Sequence, residues 1–196
     1  MALGKPLRNS WDDILYYAFH ESYPKHSDDR EMSGSLWKIF ADHAGHVLEP
    51  VLEESPEDHA ADPATPTIGG DAFGDRPFAQ YLAGWPEGAF AEHRDRGFDV
   101  SGEGYLACPQ CRERIGLGVA VRDAAGAVVF FHRGGSEAPA NSRQSQLNRA
   151  VWRFLARHLA HRLPVLVGPP FAVEVAGWRE IGRDVDFEEY LAGWPG

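Results

Sequence analysis

Cysteine is nearly absent: this chain of 196 residues has two, Cys108 and Cys111. Two thiols three positions apart are too few and too close for the disulfide framework that staples small secreted domains. Lysine is scarce as well, supplying only Lys5, Lys25 and Lys38 of the 19 basic residues. That bias, with abundant Ala, Gly and Asp, reads as the codon usage of a GC-rich bacterial genome. Long apolar runs are missing. No stretch reaches the roughly 20 apolar residues that span a bilayer. Residues 1–8 carry no apolar segment of signal-peptide length, so a cytoplasmic location is expected. Excess positive charge is missing too. With 29 carboxylates against 19 Lys and Arg, the formal charge is −10. A field of that sign repels phosphate backbones and membrane surfaces and suits a basic partner or a neutral ligand. G-x-S-x-G, a Walker loop, a Rossmann glycine pattern and H-E-x-x-H are all absent, so no nucleotide or organic cofactor is expected.

What remains is ample for a packed core: 43% hydrophobic and 12% aromatic residues. Ser10 with Trp11, Asp12 and Asp13 reads as a helix start running to about Tyr23, before Pro24. A second helix is expected from Ser33 or Ser35 to Leu48, with Leu36, Phe40, His43 and Val47 at helical spacing. Residues 53–77 collect Glu, Asp, Pro, Thr and Gly and read as an acidic linker or surface loop. The division is therefore a helical arm or subdomain over 1–52, the linker, and an α+β body over 78–196. Within the body, 115–121 and 127–132 read as a hairpin around the turn 123–126. A long helix is expected over 142–162, followed by short strands at 164–167 and 171–175. The fold class is α+β: a helical arm, then a zinc-knuckle-like β-hairpin packed on a long amphipathic helix with further short strands.

One phrase occurs twice. Phe-x-x-Tyr-Leu-Ala-Gly-Trp-Pro spans 78–86 and again 187–195, with seven of nine positions identical. The segments before and between the copies do not match, so the repeat reads as reuse of one short element and not as a duplicated domain. Phe, Tyr and Leu at i, i+3 and i+4 form a small apolar face, and Gly-Trp-Pro ends the turn and displays an indole. Such a plug caps a core or fills a hydrophobic groove. Phe187, Tyr190 and Trp194 of the terminal copy are candidate binding residues, and a tail-swapped homodimer is one consequence.

Cys108-Pro-Gln-Cys111 is the leading chemical motif. A C-P-x-C turn aims two thiolates at one point, which is half of a tetrahedral zinc site. Over residues 105–162 the order of knuckle, hairpin and helix resembles treble-clef and zinc-ribbon modules. In a treble clef the other ligand pair opens the helix, and here 141–145 holds neither Cys nor His. His158 and His161, about 60° apart on a helical wheel, are candidates to replace that pair, and His132 is a third. Four protein ligands would make the zinc structural. The alternative is two free thiols, with His158 a buried, hydrogen-bonded histidine.

The long helix is two-faced. Leu147, Val151, Phe154, Leu155, His158 and Leu159 form its apolar stripe, with Trp152 placed on the far flank. Arg149, Arg153 and Arg157 stack four apart opposite. Such a row calls for a counterpart. The acidic linker or solvent is the expected one, with an acidic partner or an RNA backbone the alternative. Near the amino terminus His43-Ala-Gly-His46, with His20, Glu21, His26 and Asp42, could furnish a three-ligand catalytic metal. The expected function is a small acidic binding or regulatory protein acting through protein–protein contacts, with neutralisation of a toxin or effector one version. A metal-dependent enzyme built on the amino-terminal histidines is the alternative. Nucleic-acid binding through the Arg row is a weaker one.

Overall fold

The fold is seen in a computed structural model, which describes residues 29–50, 78–86, 99–135, 137–169 and 174–194. For the strands β1 (Lys5–Arg8) and β2 (Ile14–Ala18) and for residues 78 and 79 only the backbone is described. The linker 53–77 and most of the segment 171–175 lie outside these residues, as do His20, Glu21 and His26.

The first departure from expectation is at the amino terminus. Where the sequence suggests a helix over 10–23, β2 pairs antiparallel with β1. Ile14-Leu-Tyr-Tyr is a short run of β-branched, aromatic and aliphatic residues whose propensity favours a strand as readily as a helix. Helix α1 (Arg30–Asp42) starts earlier and ends earlier than its apolar spacing implies. Asp29 caps it by accepting from Met32 N at 2.9 Å. Beyond the His43–His46 turn, Val47–Leu48 forms β3.

The body is a mixed sheet of six strands plus helices, an α+β architecture. Strands β4 (Asp99–Cys108), β5 (Glu113–Arg122), β6 (Val128–His132) and β7 (Leu163–Val167) join β3 in the order β3-β7-β4-β5-β6, all antiparallel. β8 (Arg179–Ile181) runs parallel to the start of β5, so β6 and β8 share one edge of that long strand. Gly104 and Gly118 face each other across β4 and β5. A Cβ at Gly104 would come within 2.3 Å of the Phe131 ring, so this glycine leaves room for a fully buried phenyl, and one at Gly118 would come within 2.2 Å of His132 O.

Helices cover one sheet face. The 3-10 turn Asn141–Arg143 leads into α3 (Ser145–Arg157). Asn141 ties that start to the sheet, donating to Leu117 O at 2.8 Å and accepting from Arg133 N at 2.8 Å. Met32, Trp37 and Phe40 of α1 share one core with Leu106, Ile115, Leu117, Val151, Phe154 and Val165. Trp152, placed by the wheel on an outer flank, is buried in the same core, because α3 is packed on more than one side. Trp37 Nε1 donates to Asn148 Oδ1 at 2.7 Å and links the two helices. The opposite sheet face carries a smaller cluster of Tyr105, Ala107, Leu166 and Val175. The short helices α2 (Phe78–Tyr81) and α4 (Phe187–Leu191) are the two repeat copies. Among the described residues no helix is long and apolar enough to cross a membrane.

Candidate metal centre at the knuckle

β4 and β5 are joined by the turn that holds both cysteines, closed by the pair Cys108–Glu113. Cys108, last in β4, is fully buried, whereas Cys111 is exposed. Arg112 takes a left-handed conformation, φ 54°, which an L side chain adopts only where the surroundings impose it. It lets the chain reverse directly after Cys111, so both thiols stay on one side of the turn.

The histidines come from the far end of α3. The sequence places both on a continuous helix, but α3 stops at Arg157 and His158 is its C-cap. Ala160 is left-handed, φ 57°, and its N–H donates to Pro50 O at 2.7 Å. This turn carries His161 back over the knuckle. Its Nδ1 lies 3.3 Å from Cys108 Sγ and 3.6 Å from Cys111 Sγ. At ordinary zinc–sulfur and zinc–nitrogen bond lengths, the sulfur–nitrogen edge of a tetrahedral site is about 3.6 Å.

Cys108, Cys111 and His158 also form a group whose ligand atoms all lie within 4.8 Å of one another, close enough to hold a metal ion and compatible with zinc. His158 is buried against Phe154, ring centroids 4.1 Å apart, and its Nδ1 donates to Phe154 O at 2.7 Å. That bond fixes the tautomer and leaves the lone pair on Nε2 for a cation. Burial pushes the His158 pKa below its ordinary value, which keeps the ring neutral and competent to ligate. Glu113 Oε2 lies 3.4 Å from Nε2, and Arg179 holds the other carboxylate oxygen at 3.2 Å.

The thiols point the same way. Without a cation, burial, then the hydrogen bond and charge of Cys108, push the Cys111 pKa up to about 11. A thiol whose pKa is raised in this way gives up its proton more readily when a positive charge is supplied, so the donor set fits a divalent metal. His132 is elsewhere, buried with Nε2 3.0 Å from Gly135 O.

The Arg row of α3 is engaged within the chain. Arg149 Nη2 donates to Trp194 O at 3.3 Å, Arg153 to Tyr190 O, and Arg153 and Arg157 lie over the Tyr190 ring at 5.0 and 5.8 Å. Among the described residues, Arg149 and Arg153 thus donate to carbonyl oxygens in and just after α4, while the acidic linker lies outside these residues. Tyr190 and Trp194 are buried, and Phe187 packs under the Arg133 guanidinium at 4.9 Å. The first copy is used alike: Lys38 lies 4.4 Å over Tyr81, and Trp85 Nε1 donates to Val129 O at 2.8 Å.

His43 and His46 are exposed, with Nδ1 atoms 3.5 Å apart. Asp42 is taken up by Lys38 at 2.7 Å and by Tyr81 OH at 2.6 Å. A cavity of about 610 Å³ opens between Ala41–Gly45 and the β5–β6 turn, with Arg122 on its far wall, and neither histidine lines it.

No family model, curated protein or solved structure matches this chain. Fold and site alone define its class: an α+β protein with a Cys/His cluster suited to a metal ion.

Proposed function

We propose that this chain is a zinc-stabilised binding protein that works through protein–protein contacts, with Cys108, Cys111, His158 and His161 holding one structural zinc. The observation that carries this reading is the position of His161, whose Nδ1 meets both sulfurs at tetrahedral-edge distances. Cys108, Cys111 and His158 are the three whose donors all lie within 4.8 Å of one another, and His161, beside the sulfurs, would supply the fourth. A metal with four protein ligands keeps no open position for a substrate and contributes to folding. Zinc there would clamp the β4–β5 hairpin to the end of α3. The charge of −10 favours a basic partner. The engagement of Arg149 and Arg153 with α4 weighs against a nucleic-acid role.

X-ray absorption of the zinc protein tests the assignment. Two sulfur and two nitrogen neighbours support a closed structural site. One water oxygen in place of a nitrogen would reopen the catalytic reading.

A further inference from the structure

Two stretches that look unrelated in the sequence are equivalent in the structure. Aligning the sequence of α1 with that of α3 from their first residues pairs Trp37 with Trp152, Ala41 with Ala156, His43 with His158, His46 with His161 and Leu48 with Leu163. Each helix has 13 residues and ends on its histidine as C-cap, at φ −112°, ψ 23° for His43 and φ −114°, ψ 31° for His158. Two residues on, Gly45 and Ala160 are both left-handed, at φ 86° and 57°. Each turn donates to the other half: Gly45 N to Val165 O at 2.8 Å and Ala160 N to Pro50 O at 2.7 Å.

The strands that follow pair antiparallel with Leu48 opposite Leu163. A residue facing its own counterpart marks a local twofold axis. The repeated plugs obey the same relation. Trp85 lies by Gly34 and Tyr81 by Lys38; Trp194 lies by Arg149 and Tyr190 by Arg153, at corresponding helix positions. The repeat is therefore larger than the nine-residue phrase, which corrects the reading of a short reused element. Its matches are spaced, not contiguous, and unequal inserts separate helix from plug.

We propose that His43 and His46 form a second metal site, an open half-site for a late first-row divalent cation such as zinc. They are the counterparts of the pair that meets the knuckle, and the ring centroids are 5.7 Å apart in both pairs. Their Nδ1 atoms, at 3.5 Å, match the nitrogen–nitrogen edge of about 3.4 Å in a tetrahedral zinc site. At this distance a single cation would satisfy both nitrogen lone pairs at once. The units differ in one respect. His158 turns Nδ1 to the carbonyl of Phe154 and offers Nε2, whereas His43 turns Nδ1 to His46. The chain has no second cysteine pair. Asp42, the adjacent carboxylate, is already held by Lys38 and Tyr81. Two protein ligands then leave positions for water or a donor from a partner, so this site binds more weakly and exchanges faster than the knuckle.

Zinc titration of the full chain by calorimetry, with histidine carbethoxylation read by mass spectrometry, tests the inference. The expected result is a tight equivalent and a weaker one, the weaker lost in His43→Ala, His46→Ala and retained in Cys108→Ser, Cys111→Ser. Saturating zinc should slow modification of His43 and His46 several-fold in the unaltered chain, a readout that needs no variant. Unchanged zinc stoichiometry in the His variant, or modification rates indifferent to zinc, would overturn the second site. Loss of the tight equivalent in the Cys variant reports on the knuckle alone, so the two assignments fail independently.

Discussion

The Nδ1 of His161 lies 3.3 Å from the Sγ of Cys108, although 53 positions separate them in the chain. That contact joins the tip of the β4–β5 hairpin to the segment beyond α3. It exists because Ala160 accepts a left-handed backbone and Arg112 does the same on the other side. Backbone strain on both flanks of a donor cluster is the arrangement expected where a ligand repays it.

The strain at Ala160 is measurable. A left-handed L residue costs about 1–2 kcal/mol, and replacing it with glycine returns part of that to unfolded-chain entropy. Ala160→Gly should therefore stabilise the metal-free protein by about 0.5 kcal/mol in urea unfolding. The reverse change in the equivalent turn, Gly45→Ala, meets nothing within 4 Å of the new Cβ. It should destabilise by about 1 kcal/mol through conformation alone. Equal effects of the same sign at both turns would contradict their equivalence.

The C-terminal plug should behave as core. Tyr190→Ala removes a buried ring from between α4 and α3 and should cost about 3 kcal/mol. Arg153→Glu sets a carboxylate against the carbonyl of Tyr190 and should cost about 2 kcal/mol. Chemical denaturation checks both. An Arg153→Glu chain of undiminished stability would mean that the row is free for a partner.

Stability should also fall in alkali through Tyr190. Burial, the leading cause, pushes its pKa up to about 12. Between pH 10 and 12 the folded state keeps a proton that the unfolded chain has lost, so unfolding gains as pH rises. The slope from one such group is at most about 1.4 kcal/mol per pH unit. Tyr190→Phe should make the decline of the urea midpoint over that window shallower, and an unchanged slope would assign the titration elsewhere.

Local chemistry was legible where it is written in neighbouring residues. The turn that holds the two cysteines and the turn at 123–126 both follow from Cys, Gly and Pro at short spacing. The amino-terminal strands were not, because Ile14-Leu-Tyr-Tyr carries no period that separates strand from helix. A helical wheel puts His158 and His161 about 60° apart on one helix face. The structure brings them to the thiols through a turn, which depends on Ala160 doing what glycine usually does. The contacts of Arg149 and Arg153 with the C-terminal plug have no sequence signature, because they run to backbone carbonyl oxygens. The twofold relation was hidden by spacing: its matching residues carry helix contacts and turn geometry, and the positions between them diverge.

The central claim is the zinc at the knuckle, and metal content tests it most directly. The protein purified without added metal should carry one tightly held zinc per chain. Cys108→Ser, Cys111→Ser should lose that zinc and melt lower by on the order of 10 °C. Tightly held zinc retained in the double variant, or no tightly held metal in either protein, would contradict the account.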